Sequence, residues 1–237
     1  MPHPSPTTAA AAARPALDSP DSAVALVTTV PAAGPDRQRA VAEAVARHGE
    51  DADAWPRGLT SLTVYLDEQE DTVLIYTQWS SEQDLDLDLD LDLDLAEAPW
   101  PIGVGLGADE GAVGSGEATA TAFRHYRTVR GTALTEPAPV PESFPVAFFD
   151  TADEDAARTW LDGLLTSEER SEGEDRAYPG AVAAHLHISL DGTKVLSFSE
   201  CLTEDQAVAH IEAVWAPVLK EFGDTGRLYR HFGTYVR

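Results

Sequence analysis

The stretch Gly58-Leu-Thr-Ser-Leu-Thr-Val-Tyr-Leu-Asp67, a short polar break, and Val73-Leu-Ile-Tyr-Thr-Gln-Trp79 reads as two strands joined by a tight turn. The chain repeats it. Gly180-Ala-Val-Ala-Ala-His-Leu-His-Ile-Ser189 leads through the turn Asp191-Gly192 into Val195-Leu-Ser-Phe-Ser-Glu-Cys201. A single offset, that of Gly58 to Gly180, also lays Val73 on Val195 and Trp79 on Cys201 without a gap. A hydroxyl followed three residues later by Gln comes next in both copies, Ser80 with Gln83 and Thr203 with Gln206, the pattern of a capped helix start.

Upstream of each hairpin the spacing predicts a strand and then a helix. Val24–Val27 is a short apolar run; Gly34-Pro35-Asp36 breaks it; Ala40, Val41, Ala44 and Val45 recur at helical spacing up to His48. In the second half Val146–Phe149 is the strand, Thr151 to Glu154 a candidate capping box, and Trp160, Leu161, Leu164 and Leu165 the apolar helix face. An aromatic and a proline precede each hairpin, Trp55-Pro56 and Tyr178-Pro179.

Downstream the copies diverge. In the second, Val208, Ile211, Val214 and Trp215 predict one face of a helix that Pro217 ends or kinks. In the first, six Asp-Leu dipeptides from Asp84 to Leu95 occupy the same place, and the repeat calls for a strained or poorly ordered helix there. A calcium role for these aspartates is disfavoured, because the run lacks the glycine turn and varied oxygen ligands of a calcium loop. Gly103 to Gly116 reads as a loop, and no strand–GxGxxG–helix context for a dinucleotide exists. Each copy closes with an aromatic-Arg-His-aromatic strand, Phe123–Tyr126 and Tyr229–Phe232. Pro137, Pro139, Pro141 and Pro145 mark a linker.

Each half is therefore βαββαβ, the split βαβ or ferredoxin-like unit. The expected fold class is α+β: two ferredoxin-like repeats forming an intramolecular, pseudo-dimeric α+β barrel. The expected domains are a disordered tail (1–21), a first repeat (22–131, with an acidic and Gly-rich insertion at 84–117), a Pro-rich linker (132–144) and a second repeat (145–237).

Composition narrows the partners. Formal charge is −25 over 237 residues, and Lys194 and Lys220 are the two lysines. Such a surface repels phosphate backbones and anionic membranes, so neither nucleic acid nor membrane is an expected partner. One cysteine, Cys201, excludes an intramolecular disulfide and a thiolate metal cluster. No apolar run approaches the ~20 residues of a membrane span. The N-terminal Pro, Ala, Ser and Thr lack the pattern of a secretory signal. A cytoplasmic protein, monomeric or homodimeric, is expected.

The Ser189-Leu-Asp-Gly192 turn, the aromatic-Pro entry to each hairpin, and Tyr76-Thr-Gln-Trp79 ahead of a capped helix resemble the antibiotic-biosynthesis monooxygenase family in a tandem form. The resemblance covers about 22–130 and 145–237. It implies cofactor-independent oxidation of an aromatic, anthrone- or phenol-type polyketide intermediate to a quinone, with O2 as co-substrate and neither flavin nor metal. It also brings haem-degrading relatives into view. Where the family often has Asn four residues before its Trp, this chain has Ile75 before Trp79, and Ser197 before Cys201. A non-catalytic small-molecule-binding or structural barrel is the competing reading.

Imidazole can accept a phenolic proton near neutral pH. The candidate catalytic residues are therefore His125 and His231, matched on the closing strands, and His187. His185 lies two residues from His187 on the same strand face, which in the first copy carries Thr63 and Tyr65. Trp79, Tyr76, Tyr65, His185, Arg124 and Arg230 are the candidate substrate-binding residues; both arginines point opposite to their neighbouring histidines. Two histidines with Glu200 nearby do not make a zinc site without a third spaced ligand, so no metal is expected. No Ser-His-Asp order, P-loop or HExxH is present.

Overall fold

The computed structural model describes residues 10–12, 14, 17–86, 118–170, 181–212 and 226–237. The Asp-Leu run beyond Asp86, the glycine-rich stretch, Tyr178-Pro179, Val214, Trp215 and Pro217 lie outside them. The fold class is α+β, built from two ferredoxin-like βαββαβ repeats. The chain divides into two compact units, Met1–Thr121 with His231–Arg237, and Ala122–Arg230.

In the first unit, β2 (Val24–Pro31), β3 (Leu59–Asp67) and β4 (Thr72–Trp79) form an antiparallel sheet with β4 in the middle. Alternation sorts the side chains. Leu62, Val64, Ile75 and Thr77 share one face; Thr63, Tyr65, Tyr76 and Gln78 share the other. Helix α1 (Pro35–Gly49) connects β2 to β3. Proline at its first turn supplies a preset φ and lacks the N–H that would be orphaned there; Arg47 and His48 in the last turn suit the negative end of the helix dipole. Val41, Ala42, Val45 and Ala46 are its buried apolar side chains, beside Gln38 and Gly49. At its C-terminus, an added Cβ on Gly49 would lie 2.8 Å from Tyr235 Cγ and 2.9 Å from Leu62 Cδ2, so only glycine passes.

Gln38 ties this helix to the hairpin. It is 1% exposed, and its Nε2 donates to the carbonyls of Asp67 (2.8 Å) and Thr72 (2.9 Å). Gln38→Ala strands two buried carbonyls and costs about 2–4 kcal/mol, read as a lowered denaturation midpoint at unchanged m-value. Between those carbonyls the turn passes through Glu70 at φ 58.

Downstream, Ser81 rather than Ser80 caps α2 (Glu82–Asp86), its Oγ accepting from Asp84 N at 3.1 Å. The tail expected to lack structure contributes β1 (Ala10–Ala12), which pairs with Thr234–Val236. The C-terminal Arg237 donates to the carbonyls of Ala52, Trp55 and Pro56 and lies over the Trp55 ring.

In the second unit the strand order is β5-β7-β8-β6-β9: β5 (Thr119–Arg130), β7 (Ala181–Ser189), β8 (Lys194–Cys201), β6 (Phe144–Asp150) and β9 (Arg227–Val236), all antiparallel. β7-β8-β6-β9 is the ferredoxin-like order 2-3-1-4, and β3-β4-β2 gives its first three places. β7 begins 122 residues after β3 (181 against 59) and β8 the same distance after β4 (194 against 72). Helix α3 (Glu154–Arg170) buries Ala157 and Leu161 against Ala147, Phe149, Leu186, Ile188 and Val195. Its cap is Asp153, whose Oδ1 accepts from Ala156 N at 2.8 Å; Thr151, the expected cap, instead donates to Gly192 O. Gly192 has φ 73 and stands 122 after Glu70, so both hairpins turn through the left-handed region at the same place. An added Cβ on Gly192 would lie 2.8 Å from Glu154 Cα, which leaves room for glycine alone.

Thr203 caps α4 (Glu204–His210) as its spacing predicts. The buried side of that helix is Ala207 and His210; Val208, expected on the apolar face, is 41% exposed. Pro145, expected in the linker, lies in β6 opposite Leu228.

The compact units are cut differently from the repeats. The closing strand of the first repeat, from Ala122 on, belongs to the second unit, and the end of β9 belongs to the first.

Candidate functional site

β5 and β7 run antiparallel with His125 opposite His187 and Thr128 opposite His185. On a regular strand, residues three apart face opposite ways. Here the register slips between His125 and Arg127, leaving Tyr126 as an extra residue, a β-bulge. The slip changes the phase by one, so His125 and Thr128 share a face. β8 adds Glu200 beside His185 and Phe198. This face is opposite the one that Leu186, Ile188 and Val195 present to α3.

Four side chains form a line on it. His125 Nε2 lies 2.9 Å from Thr128 Oγ1, which lies 3.1 Å from His185 Nδ1. His185 Nε2 is 3.7 Å from Glu200 Oε2. The line runs from outside inward: His125 is exposed, His185 is 3% exposed and Glu200 0%. His187 stands beside it, its ring edge-on to His125 at 5.3 Å between centroids, and is 0% exposed. Burial, then the neighbouring His125 and His185, push its pKa well below the usual 6.5, so it is neutral at pH 7.

A cleft of about 260 Å³ lies between β5 and the start of α3, lined by Arg124, His125, Tyr126, Glu154, Arg158, Ile188 and Ser189; Arg124 pairs with Ile188 on this α3 side, whereas the His125 ring is on the other face with His187. That is just below the ~300–1,000 Å³ of common small-ligand sites. Arg158 pairs with Glu154 at 2.6 Å and lies over the Tyr126 ring, 5.2 Å from its centroid. The Tyr126 hydroxyl donates to Asp162 at 2.6 Å. The cleft thus offers an aromatic wall and two guanidinium groups.

The first unit holds a reduced counterpart. His231 Nε2 lies 2.8 Å from Thr234 Oγ1, which lies 3.0 Å from Thr63 Oγ1. The Tyr65 ring stands edge-on to His231 at 5.9 Å. Thr63 and Tyr65 occupy the places of His185 and His187, and Gln78 that of Glu200. Burial lowers the His231 pKa.

The structure therefore brings His125, His185 and His187 together, puts Arg124 on the opposite face of the same strand at the cleft beside α3, and puts His231 with Tyr65. Arg230 is exposed on the closing strand. Tyr76 and Trp79 lie on opposite faces of β4. Tyr76 pairs with Thr63, whereas Trp79 donates to Thr77 Oγ1 at 3.0 Å, on the face shared with Leu62. Both are 1% exposed, and burial raises the Tyr76 hydroxyl pKa well above its usual value. Thr128 escaped the sequence reading. The signal was there: both closing strands carry His-x-x-Thr, His125 with Thr128 and His231 with Thr234. Among the described residues no group of His, Cys, Asp and Glu has the geometry to hold a metal ion. Nor, among them, is any helix long and apolar enough to cross a membrane.

The fold is one shared with monooxygenase-like proteins. A candidate monooxygenase from Fusobacterium nucleatum superposes with a TM-score of 0.55 at 10% identity, over 91% of this chain and 95% of that one. An anthrone oxidase-like protein superposes with a TM-score of 0.63 at 17% identity, over 91% and 93%. At such identities the likeness is one of fold. No family model matches the chain, and no curated protein does.

Proposed function

We propose that this protein is a cofactor-independent monooxygenase that oxidises an aromatic small molecule of the anthrone or acidic-phenol type to a quinone. The observation that carries the reading is His125: an exposed imidazole, hydrogen-bonded from behind through Thr128, on a strand that also lines a cleft with an aromatic wall and two guanidinium groups. The superposition on an anthrone oxidase-like fold supports it.

The chemistry asks little of a protein. His125 removes the acidic proton, and the substrate anion passes an electron to O2. Recombination at carbon gives a peroxide, which expels water to leave the quinone. Substrate and O2 thus become quinone and water, the substrate supplying all the electrons. The second unit is the working one, because Thr63 and Tyr65 in the first cannot take up a proton at pH 7 as imidazoles can.

The test is oxygen uptake by the pure protein with dithranol, followed with an electrode and by quinone absorbance. One O2 consumed per quinone formed, above the buffer rate, is the expected result. Binding of dithranol without uptake favours the non-catalytic barrel, and a Soret band on adding haem favours the haem-degrading reading.

A further inference from the structure

Glu200 is fully buried, yet the chemistry proposed above does not touch it. His185 stands 3.7 Å from it, and the line from that histidine ends at the exposed His125. We propose that Thr128, His185 and Glu200 form a proton line that serves His125 and stores the proton on His185 against the Glu200 carboxylate.

Hydrogen-bond polarity gives the line its direction. A threonine hydroxyl has one proton, so Thr128 can donate to only one of its two imidazoles. Were it to donate to His125, His185 would carry its proton on Nδ1 and turn the Nε2 lone pair toward the carboxylate 3.7 Å away, which is repulsive. The other arrangement avoids that repulsion. His125 Nε2–H donates to Thr128, Thr128 donates to His185 Nδ1, and His185 Nε2–H faces Glu200. His125 Nδ1 is then the basic nitrogen.

A proton arriving at His125 Nδ1 moves three hydrogens one place each. The Nε2 proton of His125 passes to Thr128 Oγ1, the Thr128 proton passes to His185 Nδ1, and His185 becomes an imidazolium. No proton is lost, and the positive charge ends beside Glu200. The titratable and charged groups on this face among the described residues are His125 and Arg130 on β5, His185 and His187 on β7, Glu200 on β8, and Arg227 and Tyr229 on β9. His187 is held neutral by burial, so it does not compete for the charge. In the first unit the same line stops at the Thr234–Thr63 contact, and Gln78, at the place of Glu200, accepts from Ser61. Neither Thr63 nor Gln78, at the places of His185 and Glu200, can store a proton. Thr128, His185 and Glu200 are thus positioning residues that act through His125. Insofar as the proton comes from a substrate, this inference rests on the function proposed above.

Two-bond 1H–15N imidazole spectra of the 15N-labelled full chain test it without substrate. In the wild type, at pH 8, both His125 and His185 carry their proton on Nε2. As the pH falls to 5, His185 gains a second proton before His187 does. Thr128→Val, isosteric but without the hydroxyl, turns His125 into a mixture of tautomers, and Thr128→Ser restores the single form. Glu200→Gln removes the second protonation of His185 above pH 5. The proposal is overturned if wild-type His185 stays neutral to pH 5, or if Thr128→Val leaves the His125 tautomer unchanged. Should Thr128→Val not fold, the wild-type titration and Glu200→Gln still decide. The tautomer signature without oxygen uptake refutes the substrate reading alone; uptake without the signature refutes the line alone.

Discussion

His125→Ala lowers kcat/KM for dithranol-dependent oxygen uptake by about 10²–10⁴-fold, the usual worth of a positioned general base. His231→Ala leaves the rate within about threefold of wild type, roughly 0.6 kcal/mol. The two histidines sit at equivalent places on matched strands and each touches a threonine three residues on, so a merely structural role predicts similar effects. What differs is behind them: His185 and Glu200 behind Thr128, against Thr63 behind Thr234. Oxygen-electrode rates at pH 7 for the two variants, with matched melting curves, check this. Equal losses would show that the first unit carries part of the chemistry.

Acid is expected to lower the stability of the fold from pH 6.5 downward, through its buried imidazoles. Three histidines, His187, His210 and His231, have pKa values depressed by burial. The unfolded chain returns each to about 6.5 and so binds more protons than the folded one below that pH. Stability is therefore full above pH 6.5 and falls as the pH drops toward each folded value. For His210, 7% exposed and lowered to about 4, the loss approaches about 3 kcal/mol by pH 4, at 1.36 kcal/mol per pH unit. The other two add to it with the same sign. Thermal melts from pH 7.5 to 4.5 should show Tm falling from pH 6.5 downward, and His210→Gln should flatten the slope by about one proton. A Tm constant between pH 6.5 and 5 would contradict the burial of these imidazoles.

The repeat made the architecture legible. A constant offset between two hairpins needs no knowledge of packing, and β3, β4, β7 and β8 keep it to the residue. Cap positions were harder to place, since neighbouring residues each carry an oxygen: Ser80 and Ser81, or Thr151 and Asp153. Geometry chose the one whose oxygen reaches the third N–H. The first turn read only as a polar break, because Glu70, not glycine, takes the left-handed conformation there. The site was half visible. Spacing gave the histidines, but the bulge at Tyr126 obeys no local pattern, and without it His125 and Thr128 seem to face opposite ways. Trp79 and Tyr76, three apart on an unbulged strand, do face opposite ways.

His125 comes from the first copy of the repeat and its partners His185 and Glu200 from the second, so one copy translated by itself would own no complete set. Two identical single copies paired in this way would carry two identical sets. Within one chain the two sets differ independently: one has His185 and His187 where the other has Thr63 and Tyr65.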